Sequence, residues 1–226
     1  MYPGTSEAVR HHGGMSSRPA QRSVKISADE RGGWSSDRPR RDGAPPRPAN
    51  LFVHCRVLRP TDQPRYSPGS LLVVVCASPQ DSEAFLERVV EDRAALLTPG
   101  KVRQVLAGRV AEQEMDARAH ELLFAAAAKR LRSKLSVVLA TATLEAGERE
   151  PLVRLAAELG RPRHLILLET ARERVRDEDA AALNELRRAL DAGELGAEGF
   201  QTALRLGGSA PAEVRRIVFR AAPRED

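Results

Sequence analysis

The sequence predicts an α/β fold in three layers, a mostly parallel sheet with helices on both faces, and three features carry that expectation. Short, nearly continuous apolar runs recur at Leu71–Val75, Leu135–Ala140 and His164–Leu168. A strand that is apolar on both sides of its pleat belongs in a sheet covered from both sides. Longer segments with helical periodicity and capping signals lie between these runs. From Ser70 onward the two kinds of segment alternate, the order that gives parallel strands joined by crossover helices.

Taken in order, residues 1–48 are rich in Gly, Pro, Ser and Arg and nearly free of aliphatic periodicity. Such a composition cannot bury enough apolar surface to offset chain entropy, so a disordered tail is expected, with Trp34 exposed. The tail holds nine Arg or Lys against five Asp or Glu and carries most of the formal charge of +5. Met15 is an alternative start within it. Residues 49–69 are expected to be an edge strand, Leu51 to Leu58, and a linker broken by Pro60 to Gly69. The main domain is placed at 70–226. Its first strand, Leu71–Val75, runs into a helix expected from Ala84 to Leu97. Thr98 as N-cap and Pro99 at the first helical position open the next helix, which carries Val102, Val105 and Leu106. A longer helix is expected from Ala111 to Arg132, with Met115, Ala119, Leu122, Leu123, Ala126 and Leu131 on its apolar face. After the strand at Leu135–Ala140, a helix from Glu148 to Leu159 ends at Gly160. The strand His164–Leu168 precedes a helix from Asp177 to Leu190. A strand at Thr202–Leu206 and a helix at Pro211–Val218 complete the reading.

Composition narrows the function classes. A hydrophobic content of 42% with 30% charged residues over 226 residues suits one or two globular domains. Only four of the 36 basic residues are lysines. Arginine suits phosphate and carboxylate contacts, and Arg- and Ala-richness equally reflects coding bias in a GC-rich genome. Cys55, Cys76 and the five histidines form no metal-ligand spacing. No apolar run spans a membrane and no secretory h-region is visible, so the cytoplasm is the expected compartment.

Between the first strand and the first helix lies Cys76-Ala77-Ser78-Pro79-Gln80-Asp81-Ser82-Glu83. Strand, tight connection and helix are the context of a phosphate-binding loop. Such a loop needs glycine conformations, a lysine for the β- and γ-phosphates, and a Ser or Thr for Mg²⁺. Here Ser82 stands at the lysine position, Glu83 at the Ser/Thr position, and Cys76, Pro79 and Asp81 at the glycine positions. Pro79 removes a donor, and Asp81 and Glu83 place negative charge where phosphate oxygens would lie. Ser78, Pro79 and Asp81 form instead an N-cap, a first-position proline and a first-turn acid, a helix start that satisfies itself.

Several stretches in this order resemble the kinase domain of bacterial polynucleotide kinases and related small P-loop kinases over residues 70–220. They are Leu72 to Phe85, Arg103 as the arginine of an Asp-x-x-Arg element, Ser136 to Ala142, Glu198-Gly199-Phe200, and Glu213-Val214. The resemblance implies a P-loop kinase-like fold, with ATP and Mg²⁺ as cofactors of an active member. It makes Ser78, Gln80, Ser82, Arg103 and Thr141 the remnants of nucleotide-contacting positions. The acceptor-activating aspartate of the family falls on Gly100, the strand-end aspartate on Leu139 and the asparagine on Ala142. The lid is shortened to Thr170–Asp177, where Arg172, Arg174 and Arg176 are expected to be solvated or paired with Glu169, Glu173 and Asp177. Loss of lysine, Mg²⁺ hydroxyl and general base in separate segments leads to the expectation of an inactive, pseudokinase-like module. It would have no catalytic residues, no cofactor, no metal and no membrane, and a protein partner. The alternative is an active ATP-dependent kinase or ATPase whose lysine is displaced to Lys101 or Lys129. Nucleic acid is a further partner class, reached through the basic tail or through Lys129, Arg130, Arg132 and Lys134. That cluster equally reads as a solvated helix end.

Overall fold

Leu71 to Cys76 is almost wholly removed from solvent, and this strand organises the rest of the domain. A computed structural model describes residues 51–220. The expected tail at 1–48, with Trp34, lies outside the described residues. The elements run β1 (Arg56–Leu58), β2 (Arg65–Tyr66), β3 (Leu71–Cys76), α1 (Pro79–Val89), β4 (Leu96–Leu97), α2 (Pro99–Leu106), α3 (Met115–Arg132) and β5 (Val137–Ala140). They continue through α4 (Ala146–Glu158), β6 (Arg163–Leu168), α5 (Asp177–Asp191), β7 (Thr202–Leu206), α6 (Ala210–Glu213) and β8 (Val218–Phe219). Six strands form one sheet in the order β1-β7-β6-β3-β5-β4, every pair parallel. The three-layer α/β fold read from the sequence is the observed one.

Alternation along β3 divides the core. Leu71, Val73 and Val75 pack with Leu123, Ala127 and Leu131 of α3, Leu152 and Ala156 of α4, and Leu183 and Leu190 of α5. Leu72, Val74 and Cys76 face Phe85, Leu86 and Val89 of α1, together with Val214 and Ile217. At roughly 25 cal/mol per Å² of apolar surface, burying these side chains from both sides is the main stabilising term of the domain.

Three element boundaries and two inward faces differ from expectation. The helix expected to reach Leu97 stops at Val89. Val90 adopts extended geometry and bridges to Ile217, and Asp92 turns the chain by accepting the Ala94 N–H at 3.0 Å. Leu96 and Leu97 then fill the sheet edge as β4 beside β5. The last helix is a single turn, after which the β-branched Ile217 and Val218 favour extension and Val218–Phe219 pairs with Arg65–Tyr66. Only Arg56–Leu58 of the first expected strand joins the ladder, at the sheet edge beside β7. On α3, Ala127 and Ala128 are buried where Leu122 was expected inward; Leu122 is 42% exposed. Val105 on α2 is likewise exposed.

The segment before β1 is threaded through a tight passage. Val53 donates its N–H to the Gly196 carbonyl at 3.0 Å, and a Cβ on Gly196 would lie 1.9 Å from the Val53 carbonyl oxygen. Backbone on both sides cannot yield cheaply. Gly196→Ala is therefore expected to lower stability by about 2 kcal/mol, the usual scale of an overpacked site, read as a lower denaturation midpoint with an unchanged slope.

Candidate functional site

The carboxyl ends of parallel strands, where the order of connections reverses, are where an open α/β sheet binds ligands. In this chain that place lies at the ends of β3 and β5. Register pairs Val74 with Ala140, and the Thr141 N–H donates to the Val74 carbonyl at 3.1 Å. Thr141 is buried, with its Oγ1 unpartnered. Ser78, Gln80 and Ser82 start α1 beside it. Arg103 stands apart on α2, bonded to Asp116 and, at 3.2 Å, to Glu112. The fold thus gathers four of the five expected site residues at neighbouring strand ends and places the fifth in an adjacent cleft.

The start of α1 closes on itself as its residue types dictate. Ser78 has extended geometry, and its Oγ accepts the Asp81 N–H at 3.3 Å. Pro79 occupies the first helical position. Ser82 is fully buried and donates its hydroxyl to the Pro79 carbonyl at 2.8 Å. Cys76 Sγ lies 3.1 Å from Thr170 Oγ1, and burial pushes the thiol pKa up.

Two acids near the start of α1, Asp81 in its first turn and Glu83 just after it, then take charged or dipolar partners from other segments. Asp81 accepts from Arg174 Nη1 at 2.6 Å, so the connection between β6 and α5 is tied down onto the loop. Glu83 accepts the Gly100 N–H at 2.7 Å, placing a carboxylate at the start of α2. A Cβ on Gly100 would meet Glu83 Oε2 at 2.4 Å. The Glu83 carboxylate therefore fills the space a side chain at residue 100 would need. Residues 83 and 100 are thus sterically coupled. In a double-mutant cycle Gly100→Ala is expected to be unfavourable in the wild-type background and favourable in Glu83→Ala, where alanine's helix propensity acts unopposed. The expected coupling is about 1 kcal/mol, measured by chemical denaturation.

The loop after β5 shows the same self-satisfaction. Glu148 accepts the N–H groups of Ala142 and Thr143, each at 2.7 Å, and the Thr143 hydroxyl at 2.8 Å. Glu169, at the end of β6, bonds Arg187 and Arg205 rather than the arginines of the 172–176 segment. Burial disfavours the Glu169 carboxylate, but the hydrogen bonds and charge of Arg187 and Arg205 outweigh this and hold its pKa below the usual range. Arg176 pairs with Glu178 and Asp179. Lys101 reaches Glu87 at 3.7 Å. Arg174 and Arg176 are largely exposed, within the expectation that they are solvated or paired, but the acids they pair with, and the partners of Glu169, are not the ones expected.

Sequence reading missed Arg149. It is 2% exposed on α4, donates to both Glu198 oxygens at 2.8 and 2.9 Å, and donates to the Leu144 carbonyl at 2.9 Å. The Glu198-Gly199-Phe200 pattern acquires a structural meaning here: Glu198 neutralises Arg149, Gly199 turns at φ +99, and Phe200 is fully buried. No local signal distinguishes Arg149 from the other arginines, since its burial depends on a partner 49 residues away.

Beside the loop, α2, α3, α4 and the end of β5 enclose a cleft of about 570 Å³. Ala119, Leu123, Leu139 and Leu152 line its interior, and Arg103, Asp116 and Glu148 lie at its polar margin. Leu139 and Ala142 bring only apolar side chains to its lining. Among the described residues no group of His, Cys, Asp and Glu is placed to hold a metal ion. No described helix is long and apolar enough to cross a membrane.

Comparison with known proteins is consistent with this geometry. Residues 82–192 match the model of an AAA domain, a P-loop NTPase-like kinase family. The match runs from Ser82 in α1 to just beyond α5, and it supports a P-loop kinase-like likeness for that stretch. No curated protein matches the chain in sequence.

Proposed function

We propose that this chain is a catalytically inactive, pseudokinase-like protein that acts by binding or regulation rather than by phosphoryl transfer. The observation that carries the reading is the pairing of Asp81 with Arg174 and of Glu83 with the Gly100 N–H. The acids at the expected phosphate-facing positions are already bonded within the protein, one to a guanidinium and one to a backbone N–H. ATP and Mg²⁺ do not fit these residues. Ser82 is buried with its hydroxyl given to Pro79, and Asp81 and Glu83 present like charge to a triphosphate. Each charge-assisted bond forgone is worth roughly 1.5–3 kcal/mol, and several are forgone together. Nor does Gly100 offer a carboxylate to take a proton from an acceptor hydroxyl.

The partner we favour is a protein rather than a nucleic acid. Arg88, Arg103, Arg130, Arg174, Arg187 and Arg205 are all hydrogen-bonded within the described fold, which leaves fewer free guanidinium groups for phosphates. Cys55 and Cys76 are free and buried, in keeping with a reducing cytoplasm.

Titration calorimetry with ATP, with and without Mg²⁺, tests the proposal. No saturable heat at millimolar nucleotide and no label transfer to a hydroxyl-terminated oligonucleotide or a small alcohol are expected. Magnesium-dependent saturation below a millimolar, or label transfer, would overturn it.

A further inference from the structure

The cleft between α2, α3 and α4 has the size of a small-molecule site, about 570 Å³ against a usual span of roughly 300–1,000 Å³. Its walls decide what class of molecule it suits. Ala119, Leu123, Leu139 and Leu152 are buried and apolar, and half-buried Phe124 supplies a phenyl ring. The ionic groups at the margin are unbalanced. Asp116 and Glu148 face a single guanidinium, Arg103, which Asp116 shares with Glu112 outside the cleft, and the His120 imidazole lines the cleft beside them. The backbone donors of Ala142 and Thr143, which an anionic ligand would need, are already given to Glu148. The cleft therefore offers apolar surface beside more carboxylate than guanidinium, a lining that disfavours phosphate and carboxylate ligands.

We propose that this cleft binds a small apolar molecule carrying a cationic nitrogen, an aromatic or aliphatic amine. The inference rests on the binding reading above only in taking the occupant to be held rather than phosphorylated. Burial of the apolar body supplies most of the affinity, and Asp116 and Glu148 supply the preference for positive charge.

Three matched probes test it on the full chain: tryptamine, the neutral 3-ethylindole and the anionic indole-3-propionate, each titrated by calorimetry and by ligand-detected NMR. Affinity is expected to fall in that order. Asp116→Asn, an exposed substitution that leaves the core untouched, is expected to weaken tryptamine about fivefold, the scale of one partly screened ion pair, and to leave 3-ethylindole unchanged. Ala119→Phe, which fills the cleft, is expected to abolish binding of both while circular dichroism and thermal midpoint report whether the variant is folded. No binding of any probe at millimolar concentration, equal affinity for the amine and the acid, or an Asp116→Asn variant that binds tryptamine undiminished would overturn the proposal. None of these readouts involves nucleotide, so ATP binding would sink the inactive reading and leave this one to its own result.

Discussion

Glu198→Ala is expected to destabilise the domain by about 3 kcal/mol, measured as a fall in the urea midpoint at constant slope. The substitution leaves the Arg149 guanidinium 2% exposed and without its bidentate partner, its one remaining bond running to the Leu144 carbonyl. Removing one member of a buried pair costs roughly 3–5 kcal/mol, and the lower end applies because Glu198 is itself 29% exposed. Replacing both residues, as Arg149→Met with Glu198→Leu, is expected to recover most of the loss, since the desolvation of both charges disappears together. A Glu198→Ala variant as stable as wild type would show that water already reaches the guanidinium.

Lowering the pH from 6.5 to 4 is expected to cost about 3 kcal/mol of stability through His164 alone. Burial and the neighbouring Arg163 charge push its pKa from the ordinary 6.5 to about 4. Its Nδ1 lies 2.8 Å from Thr202 Oγ1, its ring packs 4.6 Å from the Tyr66 ring between centroids, and its Nε2 is buried without a partner. The unfolded chain binds the proton near pH 6.5 and the folded one only near pH 4, so the neutral ring's contribution is full above that window and lost within it. His164→Gln retains a polar side chain but does not titrate. The stability difference between wild type and His164→Gln should shift against wild type as pH falls through the window, while carboxylates common to both proteins cancel. A difference independent of pH would refute the assignment.

Local chemistry was legible where a residue's partner lies within a turn of it. Ser78, Pro79 and Asp81 state a helix start in sequence, and the fold builds that start; Thr98 with Pro99 does the same for α2, the Thr98 side chain accepting the Lys101 N–H. The strands β3, β5, β6 and β7 were readable because a strand buried on both faces tolerates little polarity. Two-residue strands carry no period at all, so β4 was absorbed into a helix and β8 into another. The pairings that define the site were hidden for a different reason. Asp81 and Arg174 are 93 residues apart, and Glu83 and Gly100 are 17 apart on separate helices. The acids at the start of α1 were visible in the sequence; which donors they bond was not.

The chain's own sequence thus determined its layered architecture and the self-capped start of α1, because both follow from residue types acting within a few positions of one another. Only the tertiary structure decided that Glu83 takes the space beside Gly100, that Arg174 bonds Asp81, and that an apolar cleft with surplus carboxylate opens beside them. Those outcomes depend on how crossover helices bring remote side chains to one sheet edge. A hydrogen bond or a clash is settled by ångströms that no spacing along the chain records.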